Sequence, residues 1–328
     1  MDADYSEAER LFHYTSARGL YGILESGCLW ATHFRFLNDS KEFFAARRSL
    51  EEVAFKRIFQ RMVALKVSGR LTIPHDMDLK VTCREDAIQF VDIFYRAMFG
   101  DADIDGNDAF VFSAFLSSPN DGRSFTDGKL FHWATYGRDG GYAIELNPHK
   151  LTKLLLQENQ NYKGLPYVFK PISYGAEGEV PQKLKSEFDA FGNVAVQRSE
   201  FAASKGEIGS KSFEDSSTAF VRIICQWKDD YFQDEREARI SVIRVNKKNE
   251  GFKAHGLRIR HASAISIPYI ELFKDGLLGK DCPIERIIIG PHQESARRAV
   301  ALKMFLNEIG LEQVKVGASN IPYANFPS

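Results

Sequence analysis

Apolar positions along this chain fall alternately into short β-type runs and helical stripes. Residues 11–15, Leu-Phe-His-Tyr-Thr, read as a first strand. Ser16 is a good N-cap for a helix over Ala17–Ser26, and Gly27 suits its C-terminal end. Residues 29–32 form a second strand, followed by a turn over 36–42 in which Asp39 or Ser40 is placed to cap the next helix. That helix runs to about Val67, with Phe43, Leu50, Val53, Phe55, Ile58, Phe59 and Met62 at helical spacing. Its other face carries Arg47, Arg48, Lys56, Arg57 and Arg61, a solvated face or a meeting point for an acidic partner. After a loop around Pro74, a second helix spans 84–99 and an acidic turn spans 100–108. Residues 109–116 are apolar on both faces, which predicts a central strand.

A polar loop over 117–128 leads to a short helix over 129–136 carrying His132, Trp133 and Tyr136, and a glycine-rich turn over 137–141 precedes a strand over 142–146. From Pro148 to about Ala219 the signals weaken: a short helix, a strand over 167–174, then a charged segment rich in small residues. Strands follow over 257–260, 263–268 and 286–289, then an amphipathic helix over 294–309 and a last strand over 314–316. The order is mixed, which predicts an α+β fold rather than a doubly wound sheet. We read residues 1–328 as a single domain, with a helical insertion at about 43–108 and a cap or insertion at about 148–219.

Composition narrows the picture. Apolar residues make up 44% of the 328 positions and Phe alone occurs 26 times, enough for a large core. A net charge of -1 gives no global field for nucleic acid, although local patches stay open. Cys28, Cys83, Cys225 and Cys282 are far apart with no C-x-x-C pair, which suggests reduced thiols. The acidic start and the lack of a membrane-length apolar run predict a soluble cytoplasmic protein without a membrane partner.

Few motifs carry chemistry. No dinucleotide or P-loop glycine pattern, zinc-type histidine pair or serine-elbow motif occurs, so no metal is expected. Gly290, between a strand and a helix, is a weak anion-site candidate that more simply permits a tight turn. Glu235, Glu237 and Arg239 form E-x-E-x-R; in one strand they would share a face, either as an exposed ion-pair ladder or as a catalytic edge. His13 and His261 each sit in H-x-[ST], the kind of pair that can serve a phosphodiesterase as base and acid; for His261 a satisfied core histidine is the plainer reading. Trp30 and Trp133 read as core, and Asn38 and Asp39 as turn residues.

In order along the chain, Phe12–Ser16, Ile23–Trp30 and Phe36-Leu37-Asn38-Asp39-x-x-Glu42 are followed by Phe112-Ser113, His132-Trp133-Ala134-x-Tyr136 with Gly141, Trp227 through Arg239, Ile288-Ile289-Gly290-Pro291 and Ser319-x-Ile321-Pro322. This succession resembles the bacterial DUF2971 family, which is similar to ADP-ribosyltransferases among bacterial toxins and phage-defence effectors. The resemblance implies a split β-sheet gripping NAD+ between two small antiparallel sheets. It implies that His13, Tyr14, Thr15, Asn38, Ser113, Tyr136 and Arg239 bind the dinucleotide, and that Glu237, Glu235 and His13 are catalytic. Tyr136 and Tyr142 are both candidates for the stacking tyrosine, and His13 stands where one subgroup has an arginine.

The chemistry suits those residues. Expelling nicotinamide builds positive charge on the ribose, and a carboxylate near the 2-hydroxyl stabilises it. Glu237 is the first choice for that role, with Glu235 serving the acceptor. Arg239 would pair with a diphosphate, or with Asp39 or Glu42 as a buried structural ion pair. The expected activity is mono-ADP-ribosyl transfer from NAD+ to RNA, DNA or protein, in a bacterial toxin or an anti-phage defence effector; toxicity would imply a neutralising antitoxin or a trigger. Rival expectations are NAD+ hydrolysis on the same fold, the His13/His261 phosphodiesterase and a non-catalytic binding module.

Overall fold

The run 109–116 is the centre of the molecule. In a computed structural model it extends to Asp108–Ser117, and its two faces feed different cores. Phe110, Phe112 and Ala114 enter one, while Ala109 and Val111 enter the other. The structure describes residues 5–322 except 7, 39–41, 101–106, 138–139, 163–166, 205–209, 245–254, 263–264 and 275. The proposed caps Asp39 and Ser40 therefore lie outside the described residues.

In chain order the strands are β1 (Arg10–Thr15), β2 (Leu29–His33), β3 (Asp108–Ser117), β4 (Tyr142–Leu146), β5 (Tyr167–Pro171), β6 (Ser173–Gly175), β7 (Trp227–Asp229), β8 (Glu237–Arg244), β9 (Leu257–Ala262), β10 (Ile265–Leu272), β11 (Ile284–Ile289) and β12 (Lys315–Ala318). Ten of them form one mixed sheet, and β6 and β7 pair separately in parallel. One edge of β3 is paired along most of its length with β8, which β5 flanks. Its other edge is shared. Arg10–Phe12 of β1 pair with Phe115–Ser117, and Thr32 and His33 of β2 pair with Val111 and Phe110. Between these contacts β1 leaves with β4, β11 and β12, and β2 leaves with β10 and β9. The sheet forks there. A split sheet made of two small antiparallel sheets was expected; the described strands form one mixed sheet whose branches divide at Phe112–Ala114.

The two segments read as insertions do not stand apart. Helices Arg47–Val67, Leu79–Phe99, Lys185–Ser204 and Ser210–Gln226 pack into one layer on the β3–β8–β5 face, around Phe90, Phe94, Phe191 and Phe220. Helices Ala17–Ser26, Pro148–Asn161 and Ser295–Glu308 contribute to the core on the other face. Several element boundaries move. The helix expected from 43 is broken at Ala46 into Glu42–Ala45 and Arg47–Val67. The second helix starts earlier, where Asp78 accepts the Lys80 and Val81 amides as its N-cap. The strand expected over 167–174 divides at Ile172, and its halves join different sheets. The basic helix face meets acidic groups of the chain itself: Arg47 with Glu51 and Asp92, Arg57 with Asp189, and Arg61 with Glu200.

Gly290 also has its explanation here. Its amide donates to the Gly141 carbonyl at 2.8 Å, and an added Cβ would stand 2.9 Å from that oxygen and from the Trp133 ring. It is a packing glycine. Gly290→Ala should therefore lower stability by about 1–3 kcal/mol, read as a lower thermal midpoint by circular dichroism; an unchanged midpoint would contradict this packing account.

Candidate functional site

The chain reverses between Glu235 and Glu237 because Arg236 takes a left-handed backbone (φ 51), uncommon for a residue with a side chain. Arg236 is anchored on Asp121 at 2.7 and 2.9 Å, and its carbonyl accepts the Leu116 amide. Glu235 therefore closes a 3-10 turn, Asp230–Glu235, and Glu237 opens β8. The two carboxylates do not share a strand face by alternation, as the sequence suggested; the kink brings both to Lys228 of β7 instead.

They meet in a buried cluster. Lys228 Nζ lies 2.7 Å from Glu235, 3.1 Å from Glu237 and 2.8 Å from Glu42. Arg239 donates to both Glu237 oxygens, at 2.5 and 2.7 Å, and to Glu42 at 2.6 Å. The pairing of Arg239 with Glu42, one of the two roles weighed from sequence, is the one seen. All five groups are buried, Glu237 and Arg239 at 3% exposure each. Burial alone would raise the Glu237 pKa. The Arg239 and Lys228 charges, with hydrogen bonds from Arg239 and Ser113, outweigh it and hold the carboxyl at about 2. Lys228 is pushed up: burial opposes its charge, but Glu237 and Glu42 prevail. Three carboxylates against two cations leave one formal negative charge.

In front of this cluster lies a cleft of about 730 Å³ that opens at the fork of the sheet, a volume in the usual range for small-molecule sites. His13, Thr15, Ser113, Tyr136, Trp30 and Arg260 are among its walls. His13 Nδ1 donates to the Ser113 carbonyl at 2.8 Å and its ring stacks on Phe112, which leaves Nε2 as an acceptor. Burial, with a push from Arg260, lowers the His13 pKa to about 4 against the hydrogen bond to Ser113, so the ring is neutral at pH 7. Two side chains link cleft and cluster. Tyr136 lines the cleft and donates its hydroxyl to Glu235 at 3.0 Å. Ser113 lines it and helps to keep Glu237 ionised.

Other expected residues sort differently. Glu235, Glu237 and Arg239 sit behind the cleft wall rather than in it. Tyr14 is among the cleft's lining residues, but its ring packs against Trp133 and its hydroxyl accepts the Lys129 amide. Asn38 is exposed and outside the cleft lining. Tyr142 is buried beside Arg298, so of the two tyrosine candidates only Tyr136 reaches the cleft. Trp133 is core; Trp30 is half-buried and lines the cleft. His261 is exposed on the cleft rim and bonded to Ser266, not a core histidine.

Sequence reading missed Lys228, Tyr174, which accepts the Glu237 amide at 2.8 Å, and the arginines at 18 and 260. Lys228 sits inside the recognised motif, but nothing local marks a lysine as buried. Among the described residues no three His, Cys, Asp or Glu side chains are grouped to hold a metal ion, and no helix is long and apolar enough to cross a membrane. Comparison of the chain with protein-family models, with curated proteins and with solved structures finds no match.

Removing Lys228 leaves three buried carboxylates facing one cation. Lys228→Met should cost about 3–5 kcal/mol in urea unfolding, and adding Glu235→Gln should recover part of that loss. Strict additivity of the two changes would contradict the coupling. Glu237 also makes stability depend on pH. Its folded pKa lies below the ordinary 4.5, so its contribution is present above that value and lost as pH falls toward 2. Unfolding free energies from pH 6 to 3 should fall more steeply for the wild type than for Glu237→Gln; parallel curves would contradict the assignment.

Proposed function

We propose that the cleft binds NAD+ and that the protein transfers ADP-ribose to a macromolecular acceptor, nucleic acid or protein. One observation carries this reading: Tyr136 stands in the cleft with its hydroxyl bonded to Glu235, and Ser113 beside it in the lining helps keep Glu237 ionised. On this reading the forked sheet acts as the split sheet of an ADP-ribosyltransferase, with His13 and Thr15 on one prong holding the nicotinamide side or the adenosine ribose. His13 Nε2, an acceptor on a neutral ring, is suited to a ribose hydroxyl.

As the glycosidic bond to nicotinamide breaks, positive charge grows on the ribose. The surplus negative charge of the cluster lies directly behind Tyr136 and Ser113, in surroundings dry enough to give it effect. Glu237, kept ionised by Arg239 and Lys228, supplies that stabilisation, and Glu235 acts through the Tyr136 hydroxyl. Glu235 is also placed to serve the acceptor's proton once ligand binding shifts Tyr136. If the acceptor is water, the same arrangement is an NAD+ glycohydrolase.

A second reading rests on His13 and His261 lining the same cleft: a phosphodiesterase with one histidine as base and the other as acid. The low His13 pKa weighs against it, because a base near pH 4 is poorly matched to neutral pH.

The test is incubation of the purified protein with labelled NAD+ and bacterial DNA, RNA or lysate. Label on a macromolecule is expected, and Glu237→Gln should slow it about 100-fold or more. Free ADP-ribose alone identifies the hydrolase. Absence of NAD+ binding and turnover would sink both, full activity of Glu237→Gln would remove Glu237 from its role, and NAD+-independent nuclease activity lost in His261→Ala would favour the phosphodiesterase.

A further inference from the structure

The charge of the cleft wall is one-sided. No Asp or Glu is among its described lining residues, yet two arginines are, Arg18 and Arg260. They come from opposite prongs of the fork. Arg18 belongs to the first turn of the helix after β1, and Arg260 to β9 at the edge of the β2 branch. Their partners are neutral: Arg18 Nη1 donates to the His261 carbonyl at 2.6 Å, and Arg260 Nη2 donates to the Thr32 hydroxyl at 2.9 Å. Arg260 Nε is buried without a hydrogen-bond partner. Among the described residues neither arginine makes an ion pair with a carboxylate, in contrast to Arg239, Arg244 and Arg286 in the same sheet.

Such an arrangement has an unmet electrostatic demand. A buried guanidinium donor without an acceptor costs free energy, and two like charges close together repel. Burial, and Arg18's charge after it, hold the Arg260 pKa down despite an opposing pull from Tyr269. A dianionic group bridging the arginines would meet every one of these demands and join the two prongs. We infer that Arg18 and Arg260 form a diphosphate subsite, in which the buried Arg260 Nε donates to a phosphate oxygen. Two cations match the two charges of a dinucleotide's diphosphate. The confinement of the cleft and the near-neutral net charge favour that ligand over a nucleic-acid backbone, which would track a longer basic path.

The inference deepens the NAD+ reading and rests on it for the identity of the ligand, but the subsite is separable in experiment. Calorimetric titration of the full chain with inorganic pyrophosphate, ADP-ribose, adenosine and a single-stranded oligonucleotide provides the arms. The wild type should bind pyrophosphate and should prefer ADP-ribose to adenosine. Arg260→Met should weaken pyrophosphate and ADP-ribose by about tenfold or more, the scale of a charge-assisted hydrogen bond, and leave adenosine unchanged. Arg18→Met, at an exposed position, should act in the same direction and guards against a folding defect in the first variant. No pyrophosphate binding, binding insensitive to both variants, or Arg260-dependent binding of the oligonucleotide alone would overturn the subsite. Arginine-dependent pyrophosphate binding without NAD+ turnover would leave the subsite standing and remove the transferase reading. NAD+ turnover with an unchanged KM in both variants would do the reverse.

Discussion

Burying five ionised side chains is unfavourable unless each finds an opposite charge. Glu42, Lys228, Glu235, Glu237 and Arg239 meet that condition only when three parts of the molecule come together. Glu42 arrives with the short helix that begins the helical layer, Lys228 on β7 at the end of the helix Ser210–Gln226, and Arg239 on β8 beside β3. The cluster thus locks the helical layer to the sheet at the place where the sheet divides. The first helical segment starts at this lock with Glu42, and the second runs into it through the helix Ser210–Gln226 and Lys228.

The fork follows from β3. Its edge is long enough to hold β1 at one end and β2 at the other, and Phe112–Ala114 lie between those contacts. His13 closes part of the gap by donating to the Ser113 carbonyl. What stays open is a cleft with aromatic and arginine walls, floored by Ser113 and Tyr136 and backed by a cluster with a surplus negative charge. On the proposed reading, the arginines in the wall and the carboxylates behind it serve a ligand that is anionic along part of its length and becomes cationic at one carbon.

Much of the framework was legible because it is local. Ser16 accepts the Gly19 amide and Gly27 takes the left-handed C-cap, as their residue types suggested. The apolar run at 109–116 is the central strand. What was illegible is nonlocal or depends on a single dihedral. A left-handed Arg236 breaks the alternation that would have aligned Glu235 with Glu237. Pro268 reads as the end of a strand, yet β10 continues to Leu272 because β2 and β9 both pair with it beyond that point. Arg260 reaches the cleft by pairing across β10, and no pattern near residue 260 signals it. The motifs pointed to His13, Ser113, Tyr136 and Glu237 as one site; the structure unites them but puts the carboxylates behind the wall.

A crystal structure of the protein soaked with NAD+ tests the central claim most directly. The account predicts the dinucleotide in the fork, with its diphosphate between Arg18 and Arg260 and its nicotinamide ribose against Ser113 and Tyr136, in front of Glu237. An empty fork at saturating NAD+, or a dinucleotide bound elsewhere on the molecule, would contradict it.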